Sequence, residues 1–71
     1  MKVLVLGSTG LIGHQIYNYL ESLKLYKLYN IANNRKLNGS TINVDARNQL
    51  NLFSVIEKIN PDIIINAIGV L

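Results

Sequence analysis

The stretch Val3-Leu4-Val5-Leu6-Gly7-Ser8-Thr9-Gly10-Leu11-Ile12-Gly13 decides the fold of this chain. It begins as a short, continuous apolar run, which is typical of a strand buried on both faces, and the run ends at a glycine. A helical pattern starts at Gly10. The first N–H groups of a helix lack intrahelical partners and lie at the positive end of the aligned peptide dipoles. A corner of this kind is therefore expected to bind phosphate.

Glycine recurs at every third position of this turn, as Gly7, Gly10 and Gly13. Glycine reaches backbone angles that are closed to other residues, and a Cβ here would hold a pyrophosphate away from the main chain. Gly13 falls inside the predicted helix, where glycine costs about 1 kcal/mol relative to alanine. Close packing of the helix on the strand, or of the backbone on a cofactor, explains why a glycine is tolerated there. The alternative interpretation is that the three glycines form an ordinary strand-to-helix turn.

The composition restricts the class of protein. A chain of 71 residues, 49% apolar and 15% charged, is expected to form at most one small globular domain. The net charge of +3 comes from scattered bases, so nucleic-acid binding is not expected. The absence of cysteine excludes disulfides and thiolate sites and suits the cytoplasm. The N-terminal apolar run is too short for a signal sequence or a membrane span, so a soluble cytoplasmic protein is expected.

The rest of the chain alternates strand and helix patterns. Strands are predicted at 2–6, 26–32, 41–44 and from 63 onward, and helices from 10 to 23 and from 48 to about 60, with a polar loop at 33–40. Asn48 is predicted to cap the second helix, and Pro61 is expected to end it and to bias Asn60 toward an extended conformation. The helix faces expected to be buried are Ile12, Ile16, Leu20 and Leu23 in the first, and Leu52, Val55, Ile56 and Ile59 in the second.

This order predicts an α/β fold, the first half of a Rossmann-type doubly wound parallel sheet in three α/β/α layers. Right-handed crossovers give the strand order 3-2-1-4. The apolar run of the fourth strand predicts a strand that is buried on both faces. The sequence ends at Leu71, and no predicted element of it would cover the outer edge of that strand. We expect that edge to pair with a copy of the chain as a homo-oligomer, or the isolated segment to be only marginally stable. Residues 1–71 are thus expected to form the N-terminal part of an NAD(P)-binding domain, with catalytic and substrate-binding parts outside this chain.

The combination of motifs resembles the extended branch of the short-chain dehydrogenase/reductase superfamily. The matching segments are Gly7 to Gly13, Asp45 after the third strand, and Pro61-Asp62-Ile63-Ile64-Ile65-Asn66-Ala67-Ile68-Gly69 at the fourth. Within that branch the chain is similar to the dTDP-4-dehydrorhamnose reductases and related sugar-nucleotide-binding proteins. The resemblance implies an NADP-dependent oxidoreductase that reduces a 4-keto sugar nucleotide. The alternatives are an NAD-dependent sugar-nucleotide epimerase/dehydratase and a non-catalytic module that senses NADP(H) or binds a partner.

The resemblance also implies roles for individual residues. Thr9, Leu11 and Ile12 would contact the pyrophosphate through hydroxyl and backbone groups, with the Leu11 and Ile12 side chains in the core or an adenine pocket. Asp45 would accept a hydrogen bond from the adenine amino group, and a turn-initiating aspartate is the alternative. Asn66 would tie the fourth strand to neighbouring backbone. The expected cofactor-binding residues are Gly7, Thr9, Gly10, Leu11, Ile12, Gly13, Arg35, Asp45, Ala46, Ala67, Ile68 and Gly69.

The end of the second strand distinguishes the two dinucleotides. Cofactor sites that read the ribose of NAD place a carboxylate about 20 residues beyond the glycines. The segment Ala32-Asn33-Asn34-Arg35-Lys36 has none. Arg35 offers a planar fork for a 2′-phosphate, with Lys36 as a second charge, unless the two are a solvated loop pair. NADP(H) is therefore favoured, with NAD(H) as the alternative.

No catalytic group is expected in this segment. Enzymes of the superfamily use a Tyr-x-x-x-Lys pair, and the residues four beyond Tyr17, Tyr19, Tyr26 and Tyr29 are Glu21, Leu23, Asn30 and Asn33. The single histidine, His14, has no cysteine or second histidine to complete a metal site, so we expect it to face solvent.

Overall fold

The computed structural model describes residues 1–45 and 47–68 of the chain. The elements follow in the predicted order: β1 (Lys2–Leu6), α1 (Leu11–Leu23), β2 (Lys27–Ala32), β3 (Thr41–Asn43), α2 (Gln49–Ile59) and β4 (Ile63–Asn66). Residues 33–40 form turns and bends between β2 and β3, which confirms the predicted loop. No helix among the described residues has both the length and the apolarity to cross a lipid bilayer.

The strands form one four-stranded parallel sheet in the order β3-β2-β1-β4, which confirms the predicted topology. Strand β1 lies inside the sheet between β2 and β4, and its Leu4 aligns with Tyr29 of β2 and Ile64 of β4. Because the strands are parallel, their carboxyl ends meet at one edge of the sheet, where ligands of such folds bind. The chain crosses that edge after β1, β2, β3 and β4.

Each face of the sheet carries one helix. Leu4 and Leu6 of β1 pack in an apolar cluster with Leu52 and Ile59 of α2. Alternate side chains of a strand point to opposite faces, so the buried Val3 and Val5 lie on the other side. Helix α1 packs there, against β1 and β2. The arrangement gives the three layers that the sequence predicts.

Helix α2 begins and ends at asparagines. The Asn48 side chain accepts a hydrogen bond from the Asn51 N–H at 3.2 Å, which confirms the predicted N-cap. The predicted buried face is also confirmed, since Leu52 and Ile59 are buried and Val55 and Ile56 are partly buried.

The expectation of an extended Asn60 is wrong. Asn60 is left-handed, with φ 51° and ψ 59°, and its N–H donates to the Ile56 carbonyl at 2.8 Å. Asparagine tolerates this conformation better than most residues, and it closes the last turn of the helix before Pro61.

The buried face of α1 agrees with the prediction in part, since Ile16 and Leu20 are half-buried as expected. Ile12 is 63% exposed and Leu23 is 38% exposed, whereas Gly13 and Tyr17 are buried. The reason is a close contact at Gly13, which has no side chain and lets the helix approach the turn. That contact rotates the buried stripe onto Gly13 and Tyr17, and a pattern of apolar residues does not reveal it.

Strand β4 is not buried on both faces, so that expectation is wrong. Ile63 is 44% exposed and Ile64 is 46% exposed. Within residues 1–45 and 47–68, only β1 pairs with β4, so β4 is an edge strand with an open outer side. Asn66 is exposed, and its Oδ1 accepts the Ile68 N–H at 3.1 Å, so it ties the strand to the backbone that follows.

Candidate functional site

The turn between β1 and α1 is built on two glycines that the protein itself requires. Gly7 has φ +79°, a conformation that favours glycine. A Cβ on Gly7 would lie 3.0 Å from the carbonyl carbon and oxygen of Ala67. A Cβ on Gly13 would overlap the Gly7 carbonyl oxygen and lie 2.8 Å from its carbon. Gly7 and Gly13 therefore allow β1, α1 and the end of β4 to meet at one corner.

Gly10 has a different environment. Its φ of −73° and ψ of 165° are open to any residue. The only neighbour within 4 Å of an ideal Cβ is the Gly7 carbonyl oxygen, at 3.4 Å, an ordinary contact. No described part of the protein therefore excludes a side chain at Gly10. A missing Cβ at this position instead leaves the start of α1 open to approach from outside.

The N-terminus of α1 has no cap of its own. Gly10 supplies no side-chain hydrogen bond, and the first turn carries no acidic residue. Among the described residues, no acceptor receives the N–H groups of Leu11 and Ile12, whereas the His14 N–H donates to the Gly10 carbonyl at 2.9 Å. Free N–H groups at the positive end of a helix fit an anionic group.

A cleft of about 390 Å³ opens beside this corner, at the carboxyl ends of the strands. Several residues predicted from the sequence are brought together on its walls: Gly7, Thr9, Gly10, Asp45, Ala67 and Ile68. These residues come from three separate parts of the chain. The parallel sheet therefore assembles the predicted corner, the residue after β3 and the segment after β4 around one space.

Other predicted residues lie elsewhere. Leu11 and Ile12 are 77% and 63% exposed and do not line the cleft, so the expectation that their side chains enter the core or an adenine pocket is wrong. They precede Gly13 on the solvent side of the first helical turn. Arg35 is exposed and is not part of the cleft wall. Ala46 and Gly69 lie outside the described residues.

The remaining wall residues were not predicted from the sequence. They are Ile31, Ala32, Asn33, Val44 and Arg47. The first four lie at or just beyond the carboxyl ends of β2 and β3, a position that the predicted topology already implied. Arg47 had no such signal, because its place depends on a side-chain pairing.

That pairing joins Arg47 to Asp45. The Arg47 Nη2 lies 2.8 Å from Asp45 Oδ2, its Nε lies 3.1 Å from Oδ1, and its backbone N–H donates to Oδ1 at 3.0 Å. These hydrogen bonds from Arg47, the side-chain ones first, lower the pKa of Asp45 below its ordinary value. Asp45 is thus held as an ionised, oriented acceptor at the cleft.

Polar side-chain contacts hold the turn and the loop after β2. The Ser8 hydroxyl donates to Asn30 Oδ1 at 2.8 Å, and both residues are fully buried. Asn30 Nδ2 in turn donates to Asn38 Oδ1 at 3.3 Å. Asn43 Nδ2 donates to the carbonyl of Arg35 at 2.8 Å. The glycine turn is therefore tied to β2, and the loop that carries Arg35 is tied to both β2 and β3.

Neither a metal site nor catalytic machinery is apparent among the described residues. No group of three or more metal-ligating side chains occurs within 1–45 and 47–68. His14 is exposed, as expected. The cleft offers recognition: it has apolar walls and one oriented carboxylate, and the free amides of Leu11 and Ile12 lie at the corner beside it.

The comparison with known protein families agrees with the fold and the cleft described above. The family model described as "Epimerase: NAD dependent epimerase/dehydratase family" matches residues 3–71. Searches among curated proteins and among solved structures found no match. The match spans nearly the whole chain, and it confirms the resemblance at the level of the superfamily. The chain belongs to the NAD-dependent epimerase/dehydratase family.

Proposed function

We propose that residues 1–71 are the cofactor-binding segment of an NADP-dependent oxidoreductase that reduces a 4-keto sugar nucleotide, similar to the dTDP-4-dehydrorhamnose reductases. The catalytic and substrate-binding groups would lie outside this segment, since it contains no Tyr-x-x-x-Lys pair. The family binds NAD(P) dinucleotides. When bound, such a cofactor supplies or accepts a hydride.

The observation that carries this proposal is the opening at Gly10. Its backbone needs no glycine and its Cβ position is free, yet it lies between the cleft and the uncapped start of α1. This arrangement fits a diphosphate that must approach the main chain closely. The N–H groups of Leu11 and Ile12 would hold the diphosphate, and the Thr9 hydroxyl would add a donor.

The other parts of the cleft fit the adenosine portion. Ala32 and Val44 are buried apolar residues on its wall, suited to the faces of a base. The Asp45 carboxylate beside them would accept a hydrogen bond from the adenine amino group. Ala67 and Ile68 line the same cleft just after β4 and would pass beneath the cofactor ribose.

NADP(H) is favoured because the cleft wall at the end of β2 carries Asn33 rather than a carboxylate. A carboxylate there would repel a 2′-phosphate and bind the free hydroxyls of NAD. Arg35 lies two residues further along a loop anchored by Asn43, and its guanidinium would reach the phosphate.

A second candidate is an NAD-dependent sugar-nucleotide epimerase or dehydratase on the same scaffold. The description of the matching family favours it. Such an enzyme retains its NAD through the catalytic cycle, whereas a reductase releases its oxidised cofactor after each turnover.

Titration of the protein with NADPH and with NADH, followed by intrinsic fluorescence or calorimetry, tests the proposal. We expect saturable binding of one dinucleotide per chain, with the tighter binding for NADPH. Tighter binding of NADH would favour the epimerase or dehydratase. If the open reading frame extends beyond Leu71 and encodes Tyr-x-x-x-Lys, the longer protein is assayed as well. Binding of a dinucleotide by that protein, without hydride transfer to any 4-keto sugar nucleotide, would favour the non-catalytic module. Absence of binding of either dinucleotide would contradict the proposal.

A further inference from the structure

Asp45 and Arg47 form an ion pair on the wall of the proposed dinucleotide cleft. Both residues line the same cleft as Ala32 and Asn33. Ala32 and Asn33 lie at the carboxyl end of β2, whereas Asp45 and Arg47 follow β3. That end of the second strand is where the adenosine ribose and its 2′ substituent lie in such folds. Among the described wall residues, Asp45 and Arg47 are the ones with ionisable side chains.

The two charges cancel within a compact contact. Arg47 approaches Asp45 with Nη2 at 2.8 Å and with Nε at 3.1 Å and 3.3 Å from the two carboxylate oxygens. Bidentate geometry of this kind fixes both groups relative to each other. The Arg47 side chain is 80% exposed, so its replacement would leave the packed core intact.

We propose that Arg47 is a specificity-determining residue that neutralises Asp45 and so allows the cleft to accept a 2′-phosphate. The inference rests on the proposed function, because it takes a dinucleotide as the ligand. Without Arg47, the carboxylate that serves the adenine would face a 2′-phosphate unopposed. NAD(H) has no phosphate at this position and would be affected much less.

This role differs from the one expected for Arg35. Arg35 would attract the 2′-phosphate directly, and its loss would lower NADP(H) affinity whatever the charge of residue 45. Loss of Arg47 would act through Asp45. The effect of Arg47→Gln should therefore vanish when Asp45 is made neutral as well.

The test compares NADPH and NADH affinities for the wild-type protein, Arg47→Gln, and the double variant Asp45→Asn/Arg47→Gln. Lys58→Gln is the matched control, because it also removes one positive charge but lies in the last turn of α2, away from the cleft. We expect Arg47→Gln to lower the ratio of NADPH to NADH affinity by about fivefold, the upper range for an exposed charge pair. The loss should shrink at 1 M salt, where screening acts over about 3 Å.

In the double variant the ratio should return to that of the wild type, although both affinities fall together, because a neutral amide oxygen is a weaker acceptor for the adenine amino group than a carboxylate. An unchanged ratio in Arg47→Gln, or a ratio that stays low in the double variant, would overturn the inference while leaving the proposed function intact. Failure of the wild-type protein to bind either dinucleotide would overturn the proposed function and this inference together.

Discussion

At the scale of single residues, the three glycines of the first turn serve different ends. Gly7 and Gly13 are required by the packing of the protein itself, since a Cβ on either would lie 3.0 Å or less from main-chain atoms. Gly10 has room for a side chain within the described structure. The glycine spacing in the sequence predicts the corner but does not separate these roles, because backbone angles and neighbouring atoms decide them.

Substitution of Gly13 by alanine tests the packing role. The added methyl would collide with the Gly7 carbonyl, and overpacking of this kind typically costs about 1–3 kcal/mol. The gain of about 1 kcal/mol in helix propensity offsets only part of that cost. We expect a lower free energy of unfolding in urea denaturation. Stability equal to or above that of the wild type would contradict the packing assignment.

Substitution of Gly10 by alanine tests the ligand role. The methyl fits the protein, so the free energy of unfolding should change by less than about 1 kcal/mol. Dinucleotide affinity should fall about tenfold or more, because a charge-assisted contact to the main chain is lost. Calorimetric titration measures the affinity, and Gly13→Ala provides the comparison. Unchanged affinity in Gly10→Ala would argue against close approach of a diphosphate.

The Asp45 carboxyl offers a pH measurement. Arg47 lowers the pKa of Asp45, so its carboxylate persists to a lower pH than that of an ordinary aspartate. A depressed pKa contributes stability above the unfolded-state value that is lost as the pH falls through the folded-state value. We expect NMR titration to show the Asp45 pKa rising toward its ordinary value in Arg47→Gln. A pKa unchanged by that substitution would refute the bidentate contact.

At the scale of elements, the helix and strand patterns predict the first five elements and the start of β4 to within about one residue, because the caps and breakers are local. The polar loop ends where β3 begins, and Asn48 caps α2 as expected. The burial of α1 and β4 could not be predicted in the same way. The face of α1 depends on the contact at Gly13, and the exposure of Ile63 and Ile64 depends on what lies beside β4.

The cap of α2 can be measured directly. Replacement of Asn48 by alanine removes the acceptor for the Asn51 N–H and should destabilise the protein by about 1 kcal/mol. Asn51→Ala is the matched control, because its side chain is exposed within the helix and alanine has the higher helix propensity. Equal effects of the two substitutions on the urea midpoint would show that the cap is not the source of stability.

At the scale of the whole molecule, the strand order follows from handedness. Right-handed crossovers leave β1 in the centre, and this brings Gly7, Asp45 and Ala67 to one edge from distant parts of the sequence. That part of the site was predictable, because topology fixes where strands end. Arg47 was not, since its position depends on side-chain hydrogen bonds that no spacing rule encodes.

The open edge of β4 makes a prediction about association. We propose that it pairs with a second copy of the chain, because within residues 1–45 and 47–68 the outer side of β4 has no partner strand and its Ile63 and Ile64 are exposed. Sedimentation should show a dimer that becomes monomeric in Ile64→Lys, since a charge on an edge strand opposes pairing. Leu50→Lys, at a more exposed apolar position on α2, should remain dimeric. A wild-type protein that is monomeric at all concentrations would contradict the proposal.

The central claim is that free amides at the start of α1 bind the diphosphate of a dinucleotide. The most direct measurement is a set of amide ¹⁵N–¹H NMR spectra recorded during titration with NADPH. The account predicts that the largest shifts occur at Gly10, Leu11 and Ile12, with smaller ones at Asn33 and Asp45. Shifts confined to the exposed face of α2, around Leu50 and Phe53, or no shifts at all, would contradict it.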